Sequence, residues 1–291
     1  MTDEVKKRTM ATPIHSAFAL TSADGGPLRG DVRSAAGEAS RPAVVICHGF
    51  KGFKDWGFFP HLADRLARGG VTAVSFNFSS SGVGSDGDRF SEPERFGHGT
   101  FGNDLRDLEI VTQALGSGAL PGVTTAPSRV GLFGHSRGGG IAVLHAAGRG
   151  GIHALVTWSA IASASRWGPE TLQQWRADGK LDVTNQRTGE VLPLYADALD
   201  ELEADTDGRL DIQAAADRLR VPWLIVHGEA DESVSVREAQ QLHKANDERA
   251  ELLLVRRGSH TFGARHPWAG STPELDVAMD ATVGWFLRTL F

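Results

Sequence analysis

Short apolar runs alternate along the chain with longer segments in which apolar residues recur every three or four positions. Six runs are continuous enough for strands buried on both faces: 43–47 (AVVIC), 71–78 (VTAVSFNF), 129–133 (RVGLF), 153–158 (HALVTW), 222–226 (PWLIV) and 251–255 (ELLLV). Between them, residues 59–68 place Leu62, Leu66 and Ala67 at helical spacing, and residues 103–115 place Leu105, Leu108, Val111, Thr112 and Leu115 on one face. Residues 236–245 and 272–290 read as further helices. This alternation predicts the α/β class, a parallel sheet covered by helices. Ahead of the first buried run, residues 15–33 read as an antiparallel hairpin around the turn Ala23-Asp24-Gly25-Gly26-Pro27.

One region breaks the rhythm. Residues 161–208 hold no strong strand, are rich in Asp, Glu, Trp and Leu, and fall between the fourth and fifth buried runs. A structureless loop of that length is unusual in a compact domain. A helical lid or cap packed over one end of the sheet is therefore expected, within a single domain covering 1–291.

The chemistry begins at Gly134-His135-Ser136-Arg137-Gly138, which follows RVGLF directly and precedes the small-residue helix GGIAVLHAA. In that strand–turn–helix setting, G-x-S-x-G presents a serine on a strained turn. A serine hydroxyl is a weak nucleophile at neutral pH and needs a base within reach, itself oriented by a third group. Asp231 lies in HGEADESV after PWLIV, and His260 lies in RRGSHTF after ELLLV. Loops leaving successive strands at one sheet edge bring such groups together, so Asp231 and His260 are the expected acid and base. Glu229 and Glu232 read as solvated loop acids, His243 as solvent-facing and His266 as the runner-up base. His48 and His135 read as structural.

The negative charge of a tetrahedral intermediate needs preorganised N–H donors. The expected donors are the backbone N–H of Arg137 and that of Phe50, in the loop His48-Gly49-Phe50-Lys51-Gly52 after AVVIC. Trp223 and Trp285 read as core, whereas Trp158 and Trp167 are expected to line an apolar acyl or aryl pocket.

Composition removes several classes. A net charge of −6 gives no basic face for nucleic acid or an anionic membrane. The single cysteine, Cys47, sits in an apolar run and excludes both an internal disulfide and a Cys-based zinc site. No stretch reaches the roughly 18 apolar residues of a membrane span, and the N-terminus shows no apolar leader core, so a cytoplasmic location is expected. Gly82-Val83-Gly84-Ser85-Asp86-Gly87 fits G-x-G-x-x-G after a strand, but Asp88 to Pro93 show no helical period to carry a pyrophosphate. It reads as a loop near the site. No HExxH or Gly-Lys-Ser/Thr phosphate loop occurs, so neither metal nor cofactor is expected. A homodimer is left open.

Taken in order, HGF at 48–50, GHSRGG at 134–139, HGEADESV at 227–234 and GSH at 258–260 resemble the α/β-hydrolase superfamily over nearly the whole chain. Within it the chain is similar to dienelactone hydrolases, cinnamoyl esterases and the catalytic domain of acylaminoacyl peptidases. It departs from the HGGG-type esterases in having HGFKG, and Ser136 in place of Cys or Asp argues against dienelactone and haloalkane chemistry proper. The resemblance implies an eight-stranded, mostly parallel sheet with 161–208 as a small lid. It also implies a serine hydrolase acting on a small-molecule ester without a cofactor; a peptidase or amidase, and a catalytically silent binding protein, stand as alternatives.

Overall fold

In the computed structural model, which describes residues 12–35, 40–186 and 188–291, the apolar runs form six neighbouring strands of one eight-stranded sheet, and the run at 251–255, expected to be buried on both faces, is a partly exposed edge strand. Residues 1–11 of the stretch read for a leader lie outside the described residues. The strands are β1 (Ile14–Thr21), β2 (Pro27–Ser34), β3 (Ala43–Cys47), β4 (Thr72–Phe76), β5 (Val130–His135), β6 (Ala154–Trp158), β9 (Trp223–Gly228) and β10 (Ala250–Val255), in the order β1-β2-β4-β3-β5-β6-β9-β10. β2 runs antiparallel to both neighbours, and every other pairing is parallel.

The central strands are fully buried, and alternate residues serve opposite faces. Val45 and Cys47 point into the core beneath α3 (Phe101–Gly116), α4 (Arg137–Gly148), α7 (Ile212–Arg218) and α8 (Val236–Ala245). Val44 and Ile46 point to the other face, beneath α1 (Phe59–Arg68) and α9 (Pro273–Leu290). α1 carries a continuous apolar stripe, Phe59, Leu62, Ala63, Leu66 and Ala67, all buried. Thr100 caps α3 and Thr272 caps α9, each hydroxyl accepting a backbone N–H of the first turn. Among the described residues no helix is long and apolar enough to cross a membrane.

The inserted segment after β6 is not all helical, contrary to expectation. It runs α5 (Pro169–Asp178), β7 (Lys180–Thr184), β8 (Val191–Tyr195) and α6 (Asp197–Ala204), and β7 and β8 pair as an antiparallel ribbon. β7 alternates exposed with half-buried residues, so it lacks the continuous apolar run of a central strand. Leu192, Leu194, Trp175 and Leu199 of this segment pack on Phe53, Val83, Phe90 and Phe96 in a third apolar cluster. The G-x-G-x-x-G stretch is therefore a loop anchored beneath the insertion. The helix that follows, α2 (Pro93–Gly97), is a single short turn.

Candidate active site

Five loops leave the carboxyl ends of β3, β4, β5, β9 and β10 along one edge of the sheet, where α/β folds collect their ligands. Ser136 follows β5 with φ 56° and ψ −120°, a left-handed conformation that L side chains rarely adopt. Close packing sustains the turn: a Cβ at Gly138 would collide with the His48 carbonyl, and one at Gly49 would lie 3.0 Å from the Ser136 Cβ. The elbow and the loop after β3 therefore touch backbone to backbone.

Asp231 and His260 meet. The His260 Nδ1–H donates to both Asp231 oxygens, at 2.9 and 3.1 Å, and this fixes the tautomer with Nε2 as the free ring nitrogen. The Ser233 and Val234 N–H groups donate to Asp231 Oδ1 at 2.9 Å each. The Asp231 carboxylate has no solvent exposure. Burial pushes its pKa up, but hydrogen bonds from His227 and His260, together with the His260 charge and the Val234 N–H, hold it well below the usual carboxylate range. Glu229 and Glu232 are exposed.

His227, fully buried, brings Nε2 to 2.9 Å from the Val234 carbonyl and 3.3 Å from Asp231 Oδ2. Sequence reasoning missed it as a second imidazole on the same carboxylate; its place four residues before Asp231 was the available signal.

Ser136 and His260 line one cleft of about 320 Å³ with Ile161, Ala164, Trp167 and Val234. No hydrogen bond joins their side chains among the described residues. The His135 Nε2–H donates to the His260 carbonyl at 2.9 Å, tying the elbow to the loop that carries His260. Burial, with the nearby His260 charge, pushes His135 down to about 3, so it stays neutral. Burial likewise pushes His48 down to about 4; its Nδ1–H donates to the Gly49 carbonyl and its Nε2 accepts the Phe78 N–H. His266 accepts the Gly57 N–H at 3.1 Å and packs against Phe53 and Trp56, away from this constellation.

Phe50 and Arg137 both line the cleft, and neither backbone N–H is used in a hydrogen bond among the described residues. A second, narrow compartment of about 50 Å³ shares the wall formed by Phe50, Lys51, Phe101, Arg137, Ala164 and Trp167, and continues between Phe78, Phe96, Leu194 and Leu202. Trp167 lines both spaces. Trp158 does not: its side chain is fully buried on the α1–α9 face, packed against Phe58, Phe133 and Phe262, with Nε1 donating to Thr282. As the last residue of β6 it follows the sheet alternation, which turns it into the core.

Asp104 and Lys51, which line the same walls, also escaped the sequence reading. An acid on the buried stripe of α3, alongside Phe101, Leu108 and Val111, was the legible sign of the first. Among the described residues no group of three or more His, Cys, Asp or Glu is placed to hold a metal ion.

This sheet order and helix arrangement define the α/β-hydrolase fold. The sequence pattern of the Alpha/beta hydrolase family matches residues 44–275, and the chain belongs to that family. Among solved structures it is similar to Est1E from Butyrivibrio proteoclasticus with ferulic acid bound, at 20% identity and TM-score 0.72, covering 94% of this chain and 99% of that one. It is also similar to a dienelactone hydrolase from Anabaena variabilis ATCC 29413, at 18% identity and TM-score 0.65, covering 97% of this chain and 100% of the other. The esterase domain of a Rhodothermus marinus protein is similar at 15% identity and TM-score 0.65, covering 96% and 100%. At such identities the likeness is one of fold. No curated protein matches the sequence significantly.

Proposed function

We propose that the protein is a serine hydrolase that cleaves carboxylic esters through an acyl-enzyme on Ser136. The observation that carries this reading is the His260–Asp231 pair, bonded at 2.9 Å and opening onto the same cleft as a serine held on a strained elbow. The His260 Nε2 takes the Ser136 proton as the oxygen attacks the ester carbonyl, then delivers it to the leaving alcohol. Asp231 holds the imidazole with Nδ1 protonated and stabilises the cation formed in between. The Phe50 and Arg137 N–H groups receive the developing oxyanion. Water activated by His260 then releases the acid, and no cofactor enters the cycle.

The walls Phe50, Phe78, Phe96, Phe101, Trp167 and Leu194 favour a small to medium apolar acyl or aryl group. The structurally similar Est1E was solved with ferulic acid, an aromatic acid, which agrees with that class. The test is hydrolysis of p-nitrophenyl butyrate by the wild type and by Ser136→Ala. The variant is expected to lose kcat by at least about a thousandfold while keeping its fold. Full activity in the variant would remove the nucleophile assignment.

A further inference from the structure

We infer that Asp104 is the positioning residue of the oxyanion hole, acting through the Arg137 side chain. The inference rests on the reading of Ser136 as nucleophile and of the Arg137 N–H as an oxyanion donor. Arg137 is held from two sides: its Nε donates to Asp104 Oδ2 at 2.8 Å, and its guanidinium lies 3.9 Å over the Phe101 ring. Asp104 is 4% exposed and accepts the Ser80 hydroxyl at 3.1 Å. Asp104 and Phe101 lie three residues apart on α3, so one helical turn grips the residue next to the nucleophile.

The grip extends to the inserted segment. Glu201, on α6, receives the Phe101 N–H at 2.7 Å and the Gly102 N–H at 2.8 Å, satisfying two donors at the start of α3. The insertion thereby fixes the helix that fixes Arg137.

A buried ion pair is a poor stabilising device, because desolvation consumes most of the attraction, and apolar replacements are often neutral or better. Arg137 is also the first residue of α4, where the helix dipole disfavours a cation, and the carboxylate of Asp104 offsets this. What the pair supplies is a fixed direction for the Arg137 backbone. An oxyanion donor displaced by about 1 Å loses much of its effect on the transition state.

The test measures kcat and KM for p-nitrophenyl butyrate in Asp104→Asn, Asp104→Glu, Arg137→Met and the double variant Asp104→Asn/Arg137→Met, beside Ser136→Ala. Asp104→Asn is expected to lower kcat about tenfold or more with KM held within about twofold. Asp104→Glu is expected to recover part of the loss. Because Asp104 acts through Arg137, the asparagine change is expected to add nothing in the Arg137→Met background. Should Asp104→Asn fail to fold, the double variant is read instead, since it leaves no buried charge unpaired: a tenfold kcat loss supports the inference and a wild-type kcat overturns it. A folded Asp104→Asn with wild-type kcat, a loss confined to KM, or additive losses in the double variant would also overturn it. Failure of the underlying reading looks different: there Ser136→Ala itself stays active.

Discussion

At the scale of single residues, the site is a set of carboxylates and imidazoles whose roles are assigned by their partners. Asp231 has backbone donors on Oδ1 and the His260 N–H shared across both oxygens, so it stays ionised and its orientation is fixed. His135, within the elbow, and His48, in the loop after β3, spend their ring protons on backbone carbonyls and are driven neutral by burial. The same contrast separates the two tryptophans expected at the pocket. Trp158 is a core residue, so Trp158→Ala should cost about 3–5 kcal/mol of stability, read from denaturant unfolding, and leave the ester preference of the folded fraction unchanged. A shift in chain-length preference without loss of stability would restore Trp158 to the pocket wall.

At the scale of elements, Trp167 precedes α5 in the insertion and packs edge-on against the buried Trp175. Trp167→Ala should enlarge the compartment and move the optimum of a p-nitrophenyl ester series toward longer acyl chains. An unchanged profile would detach the insertion from specificity. The insertion is also where the sequence was hardest to read. The six buried runs and the hairpin at 15–33 announced themselves through continuous apolar stretches and turn residues, and each lies within a few residues of its predicted position. β7 carries only half-buried alternation and β8 buries just Leu192 and Leu194, the two being joined through polar residues, so periodicity could not separate them from helix. The catalytic candidates were legible because each sits directly after a strong strand. Asp104 and Glu201 were not, since their partners lie 33 and about 100 residues away along the chain.

At the scale of the whole molecule, buried titratable groups set the response to acid. Burial pushes His48 and His145 down to about 4 and His135 to about 3, against 6.5 for a free imidazole. As pH falls from 6.5 toward 4, the unfolded chain gains protons on these groups that the native state refuses, so stability falls. Asp107 works in the opposite direction: burial above all raises it to about 7 from 3.8, so between those values the native state takes the proton first and gains stability. Three imidazoles outweigh one carboxyl, and the thermal midpoint should drop between pH 6.5 and 4. Asp24, Asp31 and Asp231, all held below the usual carboxylate range, add to the loss only below about pH 3.8. Asp107→Asn keeps an oxygen for the Ser79 N–H but removes the compensating proton uptake. Its midpoint should therefore fall more steeply on acidification than that of the wild type, and parallel profiles would contradict this assignment.

The central claim is that the hydroxyl on the elbow is an activated nucleophile. Intact mass and peptide mapping after treatment with a fluorophosphonate test it most directly. The account predicts a single adduct on Ser136, formed much more slowly in His260→Asn and absent in Ser136→Ala. An untouched wild-type protein, or an adduct on another side chain, would contradict it.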